Sequence, residues 1–153
     1  MLNRALRRFL RLLWRLLWRG ALGFVVLSVA LVLLFRFVPP PGSMVMVERK
    51  VQSWINSEPI DIQRQWRGWE QLSSNAKLAV ISAEDQRFPQ HRGFDFVEMR
   101  RAWEASRDGE RLRGASTLSQ QTAKNVFLWS GRSWIRKGLE AWFTLLIETL
   151  WGK

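Results

Sequence analysis

Ile81-Ser82-Ala83-Glu84-Asp85-Gln86-Arg87-Phe88-Pro89-Gln90-His91-Arg92-Gly93-Phe94-Asp95 is followed by Gly114-Ala115-Ser116-Thr117-Leu118-Ser119-Gln120-Gln121-Thr122-Ala123-Lys124-Asn125, and then by Arg132-Ser133-Trp134-Ile135-Arg136-Lys137-Gly138-Leu139-Glu140. Each of these polar blocks sits where a helix should start or stop. Ser73, Ser74 and Asn75 are candidate N-caps for a helix that carries Leu78, Val80 and Ile81 and runs to about Phe88, where Pro89 ends it. Asp95, with Glu98 three residues on, has the form of a capping box opening a helix to about Ser106. Ser116 or Thr117 can cap the next helix, which then projects Gln120, Gln121, Lys124 and Asn125 from its first two turns. Ser133 caps the last, in which Leu139, Trp142, Phe143, Leu146, Ile147 and Leu150 form a broad apolar face. Strand-like alternation is nowhere sustained, so the predicted fold class is all-α.

The same blocks concentrate carboxylates, amides and cations, a pattern suited to an anionic substrate. Glu84 and Asp85 fall near a helix C-terminus, where the helix dipole disfavours negative charge. An unfavourable placement of that kind is tolerated where it serves a function. Sugar chemistry needs one carboxylate as a proton acceptor and another group to assist the leaving side, and Glu84 and Glu140 are the candidates. Between them Lys124, Arg132, Arg136 and Lys137 are suited to a phosphate or pyrophosphate oxyanion. Taken singly, either acid is better explained by a solvated helix face. The cations, taken singly, fit a basic surface near anionic lipid. Arg107 to Gly114 form a charged, glycine-bearing loop that is expected to be mobile.

Outside these blocks, composition narrows the choices. The chain has 153 residues, no cysteine and a single histidine, His91, which removes disulfides and thiolate metal sites and weakens a histidine-based one. The net charge of +11 invites a nucleic-acid partner until it is localised. Residues 1 to 40 hold seven Arg and no acid, so the body is close to neutral and a nucleic-acid partner is not expected.

Arg4, Arg8, Arg11, Arg15 and Arg19 make one helical stripe with Arg7 beside it, and Trp14, Trp18 and several leucines complete the surface. Such a helix can lie on an anionic leaflet. From Gly20 to Phe35 no charge occurs, and Phe37-Val38 extend the apolar run past Arg36, whose long side chain can snorkel to the boundary. Six arginines precede this span and one ends it, placing the N-terminus in the cytoplasm and the body across the membrane. The charged flank and apolar run also fit a signal peptide, but no small-x-small cleavage site follows, which favours an uncleaved anchor. The organisation is therefore 1–19 a cytoplasmic amphipathic segment, 20–38 a transmembrane anchor, 39–43 a proline-rich spacer and 44–153 the folded body. Within the body, residues 44 to 70 are ambiguous: Val47, Val51, Trp54 and Ile55 have helical spacing, while Pro59 and Gly68 interrupt it.

The blocks, written Glu84-Asp85-x-x-Phe88-x-x-His91-x-Gly93-x-Asp95, Gly114-x-Ser116-Thr117-x-x-Gln120-Gln121-x-x-Lys124-Asn125 and Arg132-x-x-x-Arg136-Lys137-x-x-Glu140, resemble the three signature motifs of the family fifty-one glycosyltransferases. These are the peptidoglycan glycosyltransferases that polymerise lipid II. With its anchor and spacer the chain is most similar to their monofunctional biosynthetic transglycosylases. Ala115 stands where many members have glycine.

The resemblance implies a lysozyme-like helical domain with a mobile loop and an apolar jaw near the membrane. It implies Glu84 as the base that deprotonates the acceptor sugar hydroxyl. Ser116, Gln120, Gln121, Lys124, Arg132, Arg136 and Lys137 would hold donor sugar and diphosphate, and Asp85, counted with the substrate-binding group, would organise the first motif. Glu140 would support the leaving side or hold Mg²⁺ or another divalent cation bridging it; no organic cofactor is implied. The implied partners are lipid II, the nascent glycan strand, the membrane and cell-division or elongation proteins. The implied location is the bacterial inner membrane, single-pass, with the catalytic domain in the periplasm.

The family's fourth motif, Lys-x-x-Ile-Leu-Glu-x-Tyr-Leu-Asn, would begin near Lys153, so a partial, C-terminally truncated domain is expected. Two alternatives remain at this point. One is an inactive, membrane-anchored module that binds lipid II or a partner. The other is a lysozyme-like peptidoglycan hydrolase, against which the cations count because hydrolysis of finished glycan has no pyrophosphate to neutralise.

Overall fold

A computed structural model of the chain describes residues 4–108 and 114–152; residues 109–113, which carry most of the charged loop expected to be mobile, lie outside the described residues. Among the described residues the helices are α1 (Arg4–Phe37), α2 (Met44–Asn56), α3 (Ser74–Glu84), α4 (Phe96–Arg107), α5 (Leu118–Phe127) and α6 (Trp134–Leu150), with short 3-10 turns at Trp69–Gln71 and Phe88–Gln90 and no strand. The all-α expectation is met.

α1 runs without a break through both the arginine-rich segment and the apolar one. At 1.5 Å per residue it is about 50 Å long. Its stretch Leu6–Phe37 is long and apolar enough to cross a membrane, an 18-residue window within it reaching a mean hydropathy of 2.3. Pro39-Pro40-Pro41 cannot continue it. Ser43 then caps α2, its hydroxyl accepting from the Met46 N–H at 3.2 Å. The ambiguous region resolves into a helix stopped at Ser57, which is left-handed (φ 56°, ψ 26°) and turns its N–H back to the carbonyls of Ser53 and Trp54. Pro59 and Gly68 lie in the irregular segment that follows.

Two helix ends differ from expectation for identifiable reasons. α3 stops at Glu84 rather than near Phe88. Asp85 still donates its N–H to the Ile81 carbonyl at 2.9 Å, but its backbone swings to φ −159° and its carboxylate reaches Leu118 instead of solvent. A long-range hydrogen bond thus ends the helix before Pro89 can. At α4, Asp95 caps as expected, accepting from the Val97 and Glu98 N–H groups at 3.0 Å each. Glu98 does not close the box; it pairs with Arg101 at 2.5 Å.

The core lies among α1, α5 and α6, where Val32, Ala123, Leu128, Phe143 and Ile147 are buried. Phe127 stacks on Phe143 with centroids 4.6 Å apart, and Phe35 of α1 stacks on Phe127 at 5.8 Å. The apolar face of α6 is therefore covered partly by the long N-terminal helix. Indole N–H groups pin that seam: Trp142 donates to the Ser28 hydroxyl at 3.0 Å and Trp151 to the Val32 carbonyl at 2.7 Å. Arg36 donates to the Leu150 carbonyl, placing a positive charge at the C-terminus of α6, where the helix dipole favours it. By contrast α2, α3 and α4 contain no fully buried residue. They join the α5–α6 platform at its edge, largely through polar contacts.

Candidate active site

The C-terminal end of α3 and the approach to α5 face each other across a cleft of about 440 Å³, lined among others by Glu84, Asp85, Arg87, Asp95, Ser116 and Thr117. Glu84, the last residue of α3, is exposed there and accepts a hydrogen bond from the Gln121 amide at 2.8 Å. Glu84 and the second polar block thus meet although 37 positions separate Glu84 from Gln121. Ser116 is half-buried in the cleft wall. Lys124 lies three residues beyond Gln121, one turn along the side of α5 that faces Glu84.

The residues behind Glu84 are fastened from several directions. One Asp85 oxygen lies 2.9 Å from His91 Nε2, and the other accepts the Leu118 N–H at 3.0 Å. A buried carboxylate at the N-terminus of α5 meets both an unpaired backbone donor and the positive end of the helix dipole. Asp85 thus lines the cleft while each of its oxygens is tied into the framework, to His91 and to Leu118, and so it organises the site from inside.

Thr117 and Gln120 form a reciprocal capping box: Gln120 N–H donates to Thr117 Oγ1 at 3.2 Å and Thr117 N–H to Gln120 Oε1 at 3.1 Å. Gln120 is only 4% exposed, so it shapes the entry to α5 while Gln121 points at Glu84. Thr117 Oγ1 also donates to the Gly93 carbonyl at 2.6 Å. Gly93 has φ 77°, and a Cβ there would come within 2.8 Å of Thr144 Cγ2 and 2.7 Å of Glu148 Cγ, so only glycine is accommodated.

Asp95 completes the first block, bound to Arg87 Nε at 3.0 Å as well as to its two capped N–H groups. Burial pushes the Asp95 carboxyl up. The Glu98 N–H, the Arg87 charge and the Val97 N–H outweigh that, with His91 adding a smaller pull, and hold it below its usual 3.8.

The third block behaves differently. Glu140 is 2% exposed on α6, with one oxygen 3.0 Å from Arg136 Nη1 and the other bound to Lys137 Nζ. It does not line the cleft around Glu84. What it does is hold two cations in place, leaving the triad with a net positive charge. Arg132, just before α6, is exposed, and among the described residues neither it nor Lys124 forms an ion pair with an acid.

The expected divalent cation does not fit at Glu140, because both carboxylate oxygens are already neutralised by Arg136 and Lys137. Asp85, His91 and Asp95 bring potential ligand atoms within 4.8 Å of one another. There too the carboxylates are committed, to Leu118, His91, Arg87 and the α4 N-terminus.

Sequence inspection did not single out two acids that the structure places in the framework. Glu148 accepts from the Ser119 hydroxyl and so ties α6 to the start of α5. Its signal was an acid late in an otherwise apolar helix. Glu48 accepts from both the N–H and the hydroxyl of Ser130, and nothing in its local sequence announces that.

A family model described as "Transglycosylase" matches residues 50–153. A protein of Chromohalobacter salexigens named "Biosynthetic peptidoglycan transglycosylase" is 69% identical over 86% of this chain and 56% of its own length. Proteins of the same name from Pseudomonas aeruginosa and Pseudomonas fluorescens are 64% and 57% identical, covering 86% and 100% of this chain and 57% and 60% of their own lengths. The chain thus spans somewhat over half the length of these relatives. No solved structure matches it.

Proposed function

The chain belongs to the transglycosylase family, whose model covers residues 50–153, and from that premise we propose that it carries the donor- and base-bearing part of a peptidoglycan glycosyltransferase that polymerises lipid II. The relatives' shared name, biosynthetic peptidoglycan transglycosylase, supports the reaction class. The observation that carries the proposal for this chain is the meeting of Glu84 with Gln121 at the mouth of the cleft, one turn from Lys124.

In this proposal the Glu84 carboxylate takes the proton from the 4-hydroxyl of the acceptor N-acetylglucosamine as that oxygen attacks the anomeric carbon of the donor N-acetylmuramic acid. The bond from that carbon to the diphosphate oxygen breaks, its electron pair leaves with undecaprenyl pyrophosphate, and a β-1,4 link forms with inversion. Gln121 fixes the orientation of Glu84. Lys124 and Arg132, which pair with no acid among the described residues, neutralise the departing diphosphate. Glu140 acts at one remove, holding Arg136 and Lys137 so that their charge adds to that side of the site. Ser116 in the cleft wall contacts the donor sugar.

The anchor belongs to the same scheme. A substrate with a polyprenyl chain stays in the bilayer, and an enzyme held there by α1 meets it in two dimensions at raised effective concentration. The arginines preceding the apolar part of α1 favour an N-terminus in the cytoplasm and a body on the outer side of the inner membrane, with α6, which packs on Phe24, Ser28 and Val32 of the span, seated against the bilayer.

The test is lipid II polymerisation by the protein reconstituted in liposomes, compared with Glu84→Gln. Loss of a general base lowers turnover by about 10²- to 10⁴-fold while lipid II binding persists. A variant that polymerises at the parent rate overturns the assignment of Glu84.

A further inference from the structure

The turn between α5 and α6, residues 128 to 133, carries Arg132 and is fixed at both ends. Leu128 is 3% exposed in the core, and Ser133 caps α6 by accepting the Arg136 N–H at 3.1 Å. Between them Trp129 folds against Gly131 so closely that a Cβ there would lie 2.9 Å from the indole Cδ1. The middle of the turn is gripped from outside. Glu48 of α2 places Oε2 3.0 Å from the Ser130 N–H and Oε1 2.8 Å from the Ser130 hydroxyl, across 82 positions of sequence. A two-point, charge-assisted grip fixes orientation as well as distance.

α2 is itself fixed close to the end of α1. It starts seven residues after Phe37, across the proline spacer, and Arg64 donates to the Pro40 carbonyl at 2.7 Å. Its Met44, Val47, Val51, Trp54 and Ile55 are exposed, while Glu48 is half-buried on the side that meets the α5–α6 turn.

We propose that Glu48 is a positioning residue for diphosphate binding: by holding Ser130 it sets where Arg132, two residues on, presents its guanidinium, and it refers that position to the membrane-proximal helix. The inference rests on the proposed role of Arg132. An arginine on an exposed turn loses affinity when its backbone is free to wander, because ordering it must then be done by the ligand. Held by Glu48, the turn is ordered before the ligand arrives. Glu48 touches no reacting atom, so its effect falls on binding and not on the chemical step.

The experiment measures the affinity of the liposome-reconstituted full chain for farnesyl diphosphate, a short prenyl diphosphate, in Glu48→Ala, Glu48→Gln, Arg132→Gln and Glu48→Ala/Arg132→Gln. Glu48→Ala weakens binding about tenfold, a coupling of ordinary size for residues acting through one another. Glu48→Gln, which keeps an acceptor for the Ser130 N–H, restores affinity to within about twofold. Adding Glu48→Ala to Arg132→Gln produces no further loss. Additive losses in the double variant, or an Ala variant that binds like the parent while Arg132→Gln is impaired, overturn the role of Glu48 alone. An Arg132→Gln protein that binds like the parent overturns both this role and the proposed role of Arg132. Thermal unfolding of Glu48→Ala within about 2 °C of the parent separates positioning from general destabilisation, and a larger fall that accounts for the lost affinity overturns the proposal.

Discussion

The α1–α5–α6 half of the molecule and the α3–α4 half are held together by different forces. The first is apolar: Val32, Ala123, Leu128, Phe143 and Ile147 close a core to which Phe35 and Phe127 add stacked rings. The second buries no apolar side chain of its own helices, and is fastened by Asp85 to Leu118, Glu84 to Gln121, and Thr117 to Gly93. Apolar burial is strong but non-directional, whereas hydrogen bonds fix angles and distances. Glu84, the proposed base, thus sits on the half whose geometry is set by direction, and the cations sit on or beside the half whose position is set by packing.

Breaking the apolar half should cost most. Phe143→Ala removes a ring that is 6% exposed and stacked on Phe127, and is expected to lower stability by about 3–5 kcal/mol in thermal unfolding of the detergent-solubilised protein. A loss under about 1 kcal/mol would mean that the α1–α6 seam is not a core at all. Asp85→Ala, on the directional half, is expected to cost about 1.5–3 kcal/mol, because it strands the Leu118 N–H and removes one partner of His91. Hydrogen exchange should then quicken at Leu118 and through α3 while α6 stays protected; uniform quickening would erase the distinction between the halves.

The smallest effect is one of pH. Asp95 is held below its usual 3.8, so its contribution to stability is complete above that value and is lost as pH falls through the lowered one. Asp95→Asn should flatten the acid limb of the stability profile in that window, and an unchanged acid limb would remove Asp95 from the linkage.

Much of this was legible in the sequence where the determinants are local. Asp95, Thr117 and Ser133 cap the helices they were expected to cap, because a cap is chosen by side chains within about three residues of it. Asp85 could not be read in the same way, since the Leu118 N–H that draws it out of the helix is 33 positions away. Glu140 looked like the equal of Glu84, both acids in polar blocks. Its burial between Arg136 and Lys137 follows from which face of α6 packs inward, and that depends on α1 and α5.

The sequence alone determined the helical class, the long apolar N-terminal helix and the helix starts at which the three polar blocks sit, because periodicity, capping and hydropathy act over a few neighbouring residues. Only the tertiary structure decided that Glu84 meets Gln121, that Asp85 and Glu140 turn inward, and that Glu48 grips Ser130. Those pairings join residues 37, 33 and 82 positions apart or depend on which helix face is covered, and no local preference encodes a distance across a fold.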